Sequence, residues 1–211
     1  MPVFTNFTMV RTPPQLKTLS IEIPESLSLQ VTQAQFEALT IANRDLRLEK
    51  SAIGELIVNP PTGWETGERN RSLTGQLDRW YEDHDNLGKA FDSSTGFRFP
   101  NGAIRSPDAS WVSRELWKAI PPDPNKEFFA NICPDFVVEI RSASDNLQTL
   151  QTKMQEYLDN GAKLGWLIDP QNRQVEIYRQ GKPMETLKEP AELSGEDVLP
   201  KFILKMHRIW P

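Results

Sequence analysis

From Thr32 onward the apolar positions of the chain fall into alternating helical and extended periods. Thr32 with Gln35 three residues later forms a capping box, and Phe36, Leu39 and Asn43 continue at helical spacing, so a first helix is predicted there. Leu46, Leu48, Leu56 and Val58 then alternate around a turn near Ser51 to Gly54, the pattern of a β-hairpin closed by Pro60-Pro61. A second helix is expected from about Thr66 to His84, with Leu73, Leu77, Trp80 and Tyr81 on one stripe. Short strands follow around Ala90 to Asp92, Phe97 to Phe99 and Asp108 to Val112, and Pro121, Pro122 and Pro124 mark a loop. Pro134 to Ser142 reads as a buried strand. Asp145 to Asn160 reads as a helix that Gly161 stops. Leu164 to Pro170 is a second buried strand, turned at Asn172 into a hairpin partner from Gln174 to Arg179, with a last strand or two between Met184 and Met206. Before Thr32 the prolines Pro2, Pro13, Pro14 and Pro24 interrupt any period. An extended N-terminal arm (residues 1–30) followed by one α/β domain (31–211) is the expected organisation.

Length and charge narrow the classes. The 211 residues correspond to one domain at roughly 150 residues per domain, large enough to bury a core without disulfides. Cys133 is the single cysteine, which excludes a disulfide framework and a multi-cysteine zinc site. A Cys133 nucleophile would need His84 or His207, and neither carries a local signature for that pairing. No apolar run approaches the roughly 18 to 20 residues that span a bilayer. Met1 to Val10 has neither the basic nor the apolar region of a signal peptide, so a soluble, cytoplasmic protein without membrane partners is expected. The formal charge of −5 argues against a protein that coats nucleic acid passively, since such coating neutralises phosphates with basic residues. An enzyme with acids in its site and cations around it is compatible with that charge.

Three places carry candidate chemistry. In the strand from Pro134, period two sets Asp135, Val137, Glu139 and Arg141 on one face, which strands Glu139 inside an apolar run. A carboxylate there is costly unless it is paired or binds a metal; the plain alternative is an ion pair with Arg141 or a solvated edge. Asp108 opens a short strand after Pro107, as a motif acid or as an ordinary turn aspartate. On the following helix Leu147, Leu150, Met154, Tyr157 and Leu158 form the buried stripe. Lys153 falls about 40° from Tyr157 at its margin, where it can snorkel to water or reach toward Glu139. Two carboxylates and a lysine beside a buried strand suit metal-assisted phosphodiester hydrolysis. Asp135 could compete for the motif role but suits a strand opening. Arg69 and Arg71 could meet phosphates or form a solvated face, and Asp169-Pro170 suits a hairpin turn. Tyr157 is expected in the core with its hydroxyl at the site margin, and the six tryptophans mostly as packing residues.

The order Ser-Pro-Asp-Ala-Ser-Trp-Val (106–112), then 134–170 with Glu139-x-x-Ser142, Lys153 and Tyr157 four apart, Asn160-Gly161 and Trp166-Leu-Ile-Asp-Pro170, resembles the Uma-two endonuclease-like family. That family lies within the PD-(D/E)XK restriction-endonuclease-like superfamily, and the resemblance covers roughly Thr32 to Met206. It implies a central mixed β-sheet flanked by helices and a Mg²⁺-dependent endonuclease, with Mn²⁺ as a substitute, acting on DNA as a homodimer. Asp108 matches the motif aspartate, Glu139 the second acid, and the Ile140 carbonyl the third protein ligand of the metal. The superfamily lysine slot, two residues after the glutamate, holds Arg141; the family lysine matches Lys153. Arg141 stays charged and cannot act as a base, so it holds a phosphate or pairs with an acid. Glu65 resembles an acid that the family carries near the start of its helix, a further metal ligand or a helix N-terminal charge. The arginine in the lysine slot also leaves open an inactive nucleic-acid or protein interaction module on the same fold.

Overall fold

The computed structural model describes residues 28–121 and 129–210. The expected N-terminal arm lies outside the described residues save for 28–30, and the expected proline loop lies outside them save for Pro121.

Local rules account for most elements. Helix α1 (Gln33–Ala42) begins on the expected capping box: the Thr32 hydroxyl accepts from the Gln35 amide, and the Gln35 side chain accepts from the Thr32 amide at 2.8 Å. Strands β1 (Arg47–Lys50) and β2 (Leu56–Asn59) form the predicted antiparallel hairpin, turned at Gly54 with φ 88°. Helix α2 (Trp64–Glu82) starts two residues before Thr66, with Gly63 as its N-cap. Strands β3 (Gly88–Asp92), β4 (Phe97–Arg98), β5 (Ile104–Arg105) and β6 (Ala109–Ser113) follow. Helix α3 (Arg114–Ala119), capped by the Ser113 hydroxyl, was not legible in the apolar pattern, because its six residues include none that is buried. Strand β5 escaped for a similar reason: two residues cannot display a period. Next come β7 (Phe136–Ile140), α4 (Leu147–Asp159), β8 (Leu164–Asp169) and β9 (Gln174–Arg179). Then β10 (Glu185–Lys188), β11 (Glu192–Ser194) and β12 (Ile203–Lys205) stand where one or two strands were expected.

The central sheet has the order β10-β9-β8-β7-β6-β3. Only β7 and β8 pair in parallel within it, joined by the α4 crossover; the other neighbours are antiparallel. A smaller sheet has the order β2-β1-β5-β4. As period two requires, β7 divides its side chains between two cores. Phe136, Val138 and Ile140 pack with Leu73, Leu77 and Trp80 of α2 and with the C-terminal Phe202 and Leu204. Val137 faces the other way, among Met154, Tyr157, Leu167 and Tyr178. Burial of each such side chain stabilises by about 1.5–3 kcal/mol relative to exposure. Helix α4 lies close on β8 because Gly165 lacks a side chain; a Cβ there would stand 2.5 Å from the Met154 Cε. That approach brings the solvent margin of α4, with Lys153, over the end of β7. Among the described residues no helix is long and apolar enough to cross a membrane.

Candidate active site

The seam between the two sheets holds a cavity of about 620 Å³, lined by Glu49, Glu65, Arg69, Asp108, Glu139, Ile140, Arg141 and Lys153, and by the Ser142–Asp145 loop. Asp108 stands just before β6, and both its oxygens are engaged. Oδ2 accepts from the Ile140 amide at 2.8 Å, and Oδ1 from the Asn70 side chain at 3.0 Å. The Ile140 amide would otherwise seek a partner on β6, which has not yet begun at that level. Because the Arg141 amide bonds to Ile168 of β8, the polar groups of Ile140 face the β6 side, so its carbonyl lies on the edge where Asp108 sits.

Glu139 projects from the face of β7 opposite to the Ile140 side chain. Its Oε1 accepts from the Tyr157 hydroxyl at 2.6 Å and pairs with the Lys153 ammonium at 2.8 Å. Among the described residues its Oε2 receives no hydrogen bond, and the residue lines the cavity. Lys153 therefore reaches Glu139 rather than snorkelling away, and Tyr157 is a core residue whose hydroxyl enters the site. The ammonium also bonds Glu49 of β1 at 3.0 Å, a carboxylate the sequence pattern did not single out. Glu49 further accepts from the Ser106 amide at 2.9 Å and pairs with Arg105 at 3.4 Å, and Arg105 is fixed in turn by Glu156 at 2.6 Å. Asn70 is the other missed neighbour. Neither had a signal of its own, since both occupy ordinary polar positions of amphipathic elements.

These contacts split the acids electrostatically. Burial pushes Glu139 up to about 7; Lys153 opposes that rise, and the nearby Asp108 and Glu49 charges add to it. Burial also raises Asp108, against the Ile140 amide and the Asn70 amide group. Glu49 meets the same burial penalty yet ends below its ordinary value, because Lys153, Arg105 and the Ser106 amide together outweigh it. Burial works to lower Lys153, but Glu139 and Glu49 hold it above its ordinary value. The ammonium is a fixed cation. Glu139, with fewer donors than Glu49, is the carboxylate that gives up its charge first.

The remaining sequence candidates sit at the cavity mouth or elsewhere. Arg141 pairs with Asp169 at 2.9 Å and reaches the Asp145 carbonyl, so the arginine in the lysine slot is tied to β8 rather than to Glu139. Asp169 also accepts from the Gln171 and Asn172 amides, the turn role expected of it. Glu65 lies in the first turn of α2, its side chain 60% exposed, and pairs with Arg69 at 3.3 Å. Arg69 also bonds the Ile209 carbonyl, while Arg71 is exposed on a face outside this cavity. Asp135 is occupied structurally, by the Ser113 amide at 2.7 Å and Lys163 at 2.7 Å. Trp80, Trp111 and Trp166 are packed as expected, but Trp64 is 82% exposed at the cavity. Burial pushes the Cys133 thiol up to about 12, which rules against a thiolate nucleophile at neutral pH.

Asp108, Glu139 and the Ile140 carbonyl would offer oxygen donors alone, the chemistry that suits a hard divalent cation such as Mg²⁺. Burial first, and then the Asp108 and Glu49 charges, make a negative Glu139 costly, and a bound cation would offset that cost, so the residues present fit it. Among the described residues no three His, Cys, Asp or Glu side chains are arranged to hold an ion by themselves.

Residues 33–207 match the model of the Uma2 family, described as "Putative restriction endonuclease". No curated protein matches the chain. Among solved structures, the chain is similar to the crystal structure of "a putative nuclease belonging to DUF820" from Anabaena variabilis ATCC 29413. That likeness has a TM-score of 0.60 at 23% identity, over 72% of this chain and 82% of the other, and it shows a shared fold.

Proposed function

The chain belongs to the Uma2 family, and we propose that it is a metal-dependent nuclease that hydrolyses phosphodiester bonds in DNA. The observation that carries this reading is the meeting of two buried carboxylates, Asp108 and Glu139, with the Lys153 ammonium on one cavity wall. Asp108, Glu139 and the Ile140 carbonyl would hold Mg²⁺, or Mn²⁺ in its place. Bound there, the ion would polarise a phosphoryl oxygen and lower the pKa of water. Lys153, held protonated by two carboxylates, stabilises negative charge at the phosphate and does not take a proton from water. Asn70 and the Ile140 amide fix the Asp108 carboxylate, and Tyr157 fixes Glu139. Arg141, oriented by Asp169, and Arg69, oriented by Glu65, present cations to the flanking phosphates. Glu65 on this reading orients Arg69 and does not ligate. A homodimer is part of the proposal. Its support is the exposed apolar surface at β2, the outer strand of the smaller sheet, where Val58 is 48% exposed, beside Ile53 of the turn, 74% exposed.

The test is cleavage of supercoiled plasmid and single-stranded DNA with Mg²⁺ and with Mn²⁺, run beside Asp108→Ala, Glu139→Ala, Lys153→Ala and Arg141→Ala. Metal-dependent nicking should vanish in the first two variants. It should fall by about 10²–10³ in Lys153→Ala, the scale of one lost electrostatic stabiliser. The loss should be smaller in Arg141→Ala. No cleavage with either metal, and DNA binding unchanged by every substitution, would replace this reading with the inactive interaction module.

A further inference from the structure

Lys153 donates to two carboxylates that belong to different sheets, Glu139 on β7 and Glu49 on β1. The two differ in how firmly they are held without the lysine. Glu49, its side chain 4% exposed, keeps the Ser106 amide on Oε1 and Arg105 on Oε2, and Arg105 is anchored on Glu156. Among the described residues Glu139 keeps only the Tyr157 hydroxyl. A divalent cation drawn to Glu139 repels the neighbouring ammonium and competes with it for the same carboxylate. The second carboxylate decides where the ammonium goes.

Resting on the reading of Asp108 and Glu139 as metal-holding acids, we infer that Glu49 is a positioning residue that retains the Lys153 ammonium beside the cavity when a divalent cation takes Glu139. Glu49 then supplies the partner that Glu139 withdraws, and cation and ammonium occupy the site together. Without the Glu49 charge, Glu139 is the one carboxylate left to Lys153, and the ammonium opposes the cation there. A plain inter-sheet ion pair would carry no such link to the metal.

The experiment is a double-mutant cycle on Mn²⁺ affinity, measured by calorimetry on the full chain as wild type, Glu49→Gln, Lys153→Met and the double variant. Gln keeps the shape of Glu49 and an acceptor for the Ser106 amide. Glu49→Gln should weaken Mn²⁺ binding about tenfold alone and less than about twofold with Lys153→Met, a coupling of roughly fivefold or more. In cleavage assays Glu49→Gln should lower kcat with KM unchanged, which a purely structural role would not produce. Equal losses in both backgrounds would mean that Glu49 acts on the ion directly, and would overturn the inference while leaving the metal reading intact. A wild type that binds no Mn²⁺ would overturn the metal reading and this inference with it. Should Glu49→Gln fail to fold, Glu49→Asp, whose carboxylate is withdrawn from Lys153 by one methylene, should show a smaller loss of Mn²⁺ affinity that Lys153→Met abolishes, and an equal loss in both backgrounds would overturn the inference.

Discussion

Glu139 gives the metal-free protein an unusual dependence on pH, and Glu139→Gln tests it. In the unfolded chain this carboxyl titrates near its ordinary value of 4.5, and in the folded protein at about 7. Between those values the folded state holds a proton that the unfolded state has released, so stability falls as pH rises. At about 1.4 kcal/mol per pH unit, the interval corresponds to roughly 3 kcal/mol, lost by about pH 7.5. Asp108, also raised, adds in the same direction. Glu49 and Asp169, both lowered, act oppositely, and their contribution is lost only as pH falls below the ordinary carboxylate range. Metal-free stability should therefore peak near pH 5. Glutamine at position 139 keeps the side-chain shape and an acceptor for the Tyr157 hydroxyl but carries no charge. In EDTA, Glu139→Gln should match wild type near pH 5 and exceed it by about 1–3 kcal/mol at pH 8. The assay is urea denaturation from pH 5 to pH 8, with midpoint and slope followed for both proteins. A wild type whose stability is flat or rising across that range would refute the reasoning. So would a Glu139→Gln protein that declines in parallel with it.

Other outcomes follow from the same contacts. Tyr157→Phe removes the hydroxyl that Glu139 accepts at 2.6 Å and should cost about 1–2 kcal/mol at pH 8, read as a shift in urea midpoint. Gly88→Ala would set a Cβ 2.2 Å from the Val112 carbonyl oxygen and 2.6 Å from the Trp111 ring, so about 3 kcal/mol or more should be lost in the same assay. Trp64→Ala, at a side chain 82% exposed, should leave thermal stability within about 0.5 kcal/mol.

What the sequence reveals of the site depends on whether a residue breaks its local pattern. Glu139 does: in Phe-Val-Val-Glu-Ile every neighbour is apolar, so its burial and its need for a partner follow from period two alone. Lys153 half-breaks its pattern, at the margin of a buried helical stripe, and it does reach inward. Glu49 breaks nothing. In Arg-Leu-Glu-Lys it occupies the polar position of a half-buried hairpin strand, and it is buried only because Lys153, 104 residues away, and Arg105, 56 residues away, close over it. Asn70 is hidden in the same way, one polar residue on a long amphipathic helix until Asp108 arrives from 38 residues further on. Elements behave alike. α4 and β7 are long enough to show a period, whereas β5 and α3 owe their form to neighbours.

The place of the cavity follows from the one parallel pairing of the central sheet. Antiparallel neighbours alternate their ends, but β7 and β8 run together, so both terminate at the same edge, with Ile140 beside Ile168 there. The crossover that parallel pairing demands must start from that edge, which is why the 142–145 loop lines the cavity and α4 returns over it. A helix that passes so close to the strand ends can bring one long side chain to them, and Lys153 is that side chain. Its charge would make the buried acids tolerable, but three carboxylates share essentially one ammonium at the seam, with Arg105 committed to Glu49 and Glu156. The deficit falls on Glu139, the least supported of the three, where burial together with the Asp108 and Glu49 charges pushes the carboxyl up to about 7. A fold selected only for stability would place a neutral side chain there, as the predicted gain from Glu139→Gln measures. Keeping an underneutralised carboxylate beside Asp108 makes physical sense when the missing positive charge arrives with a divalent cation.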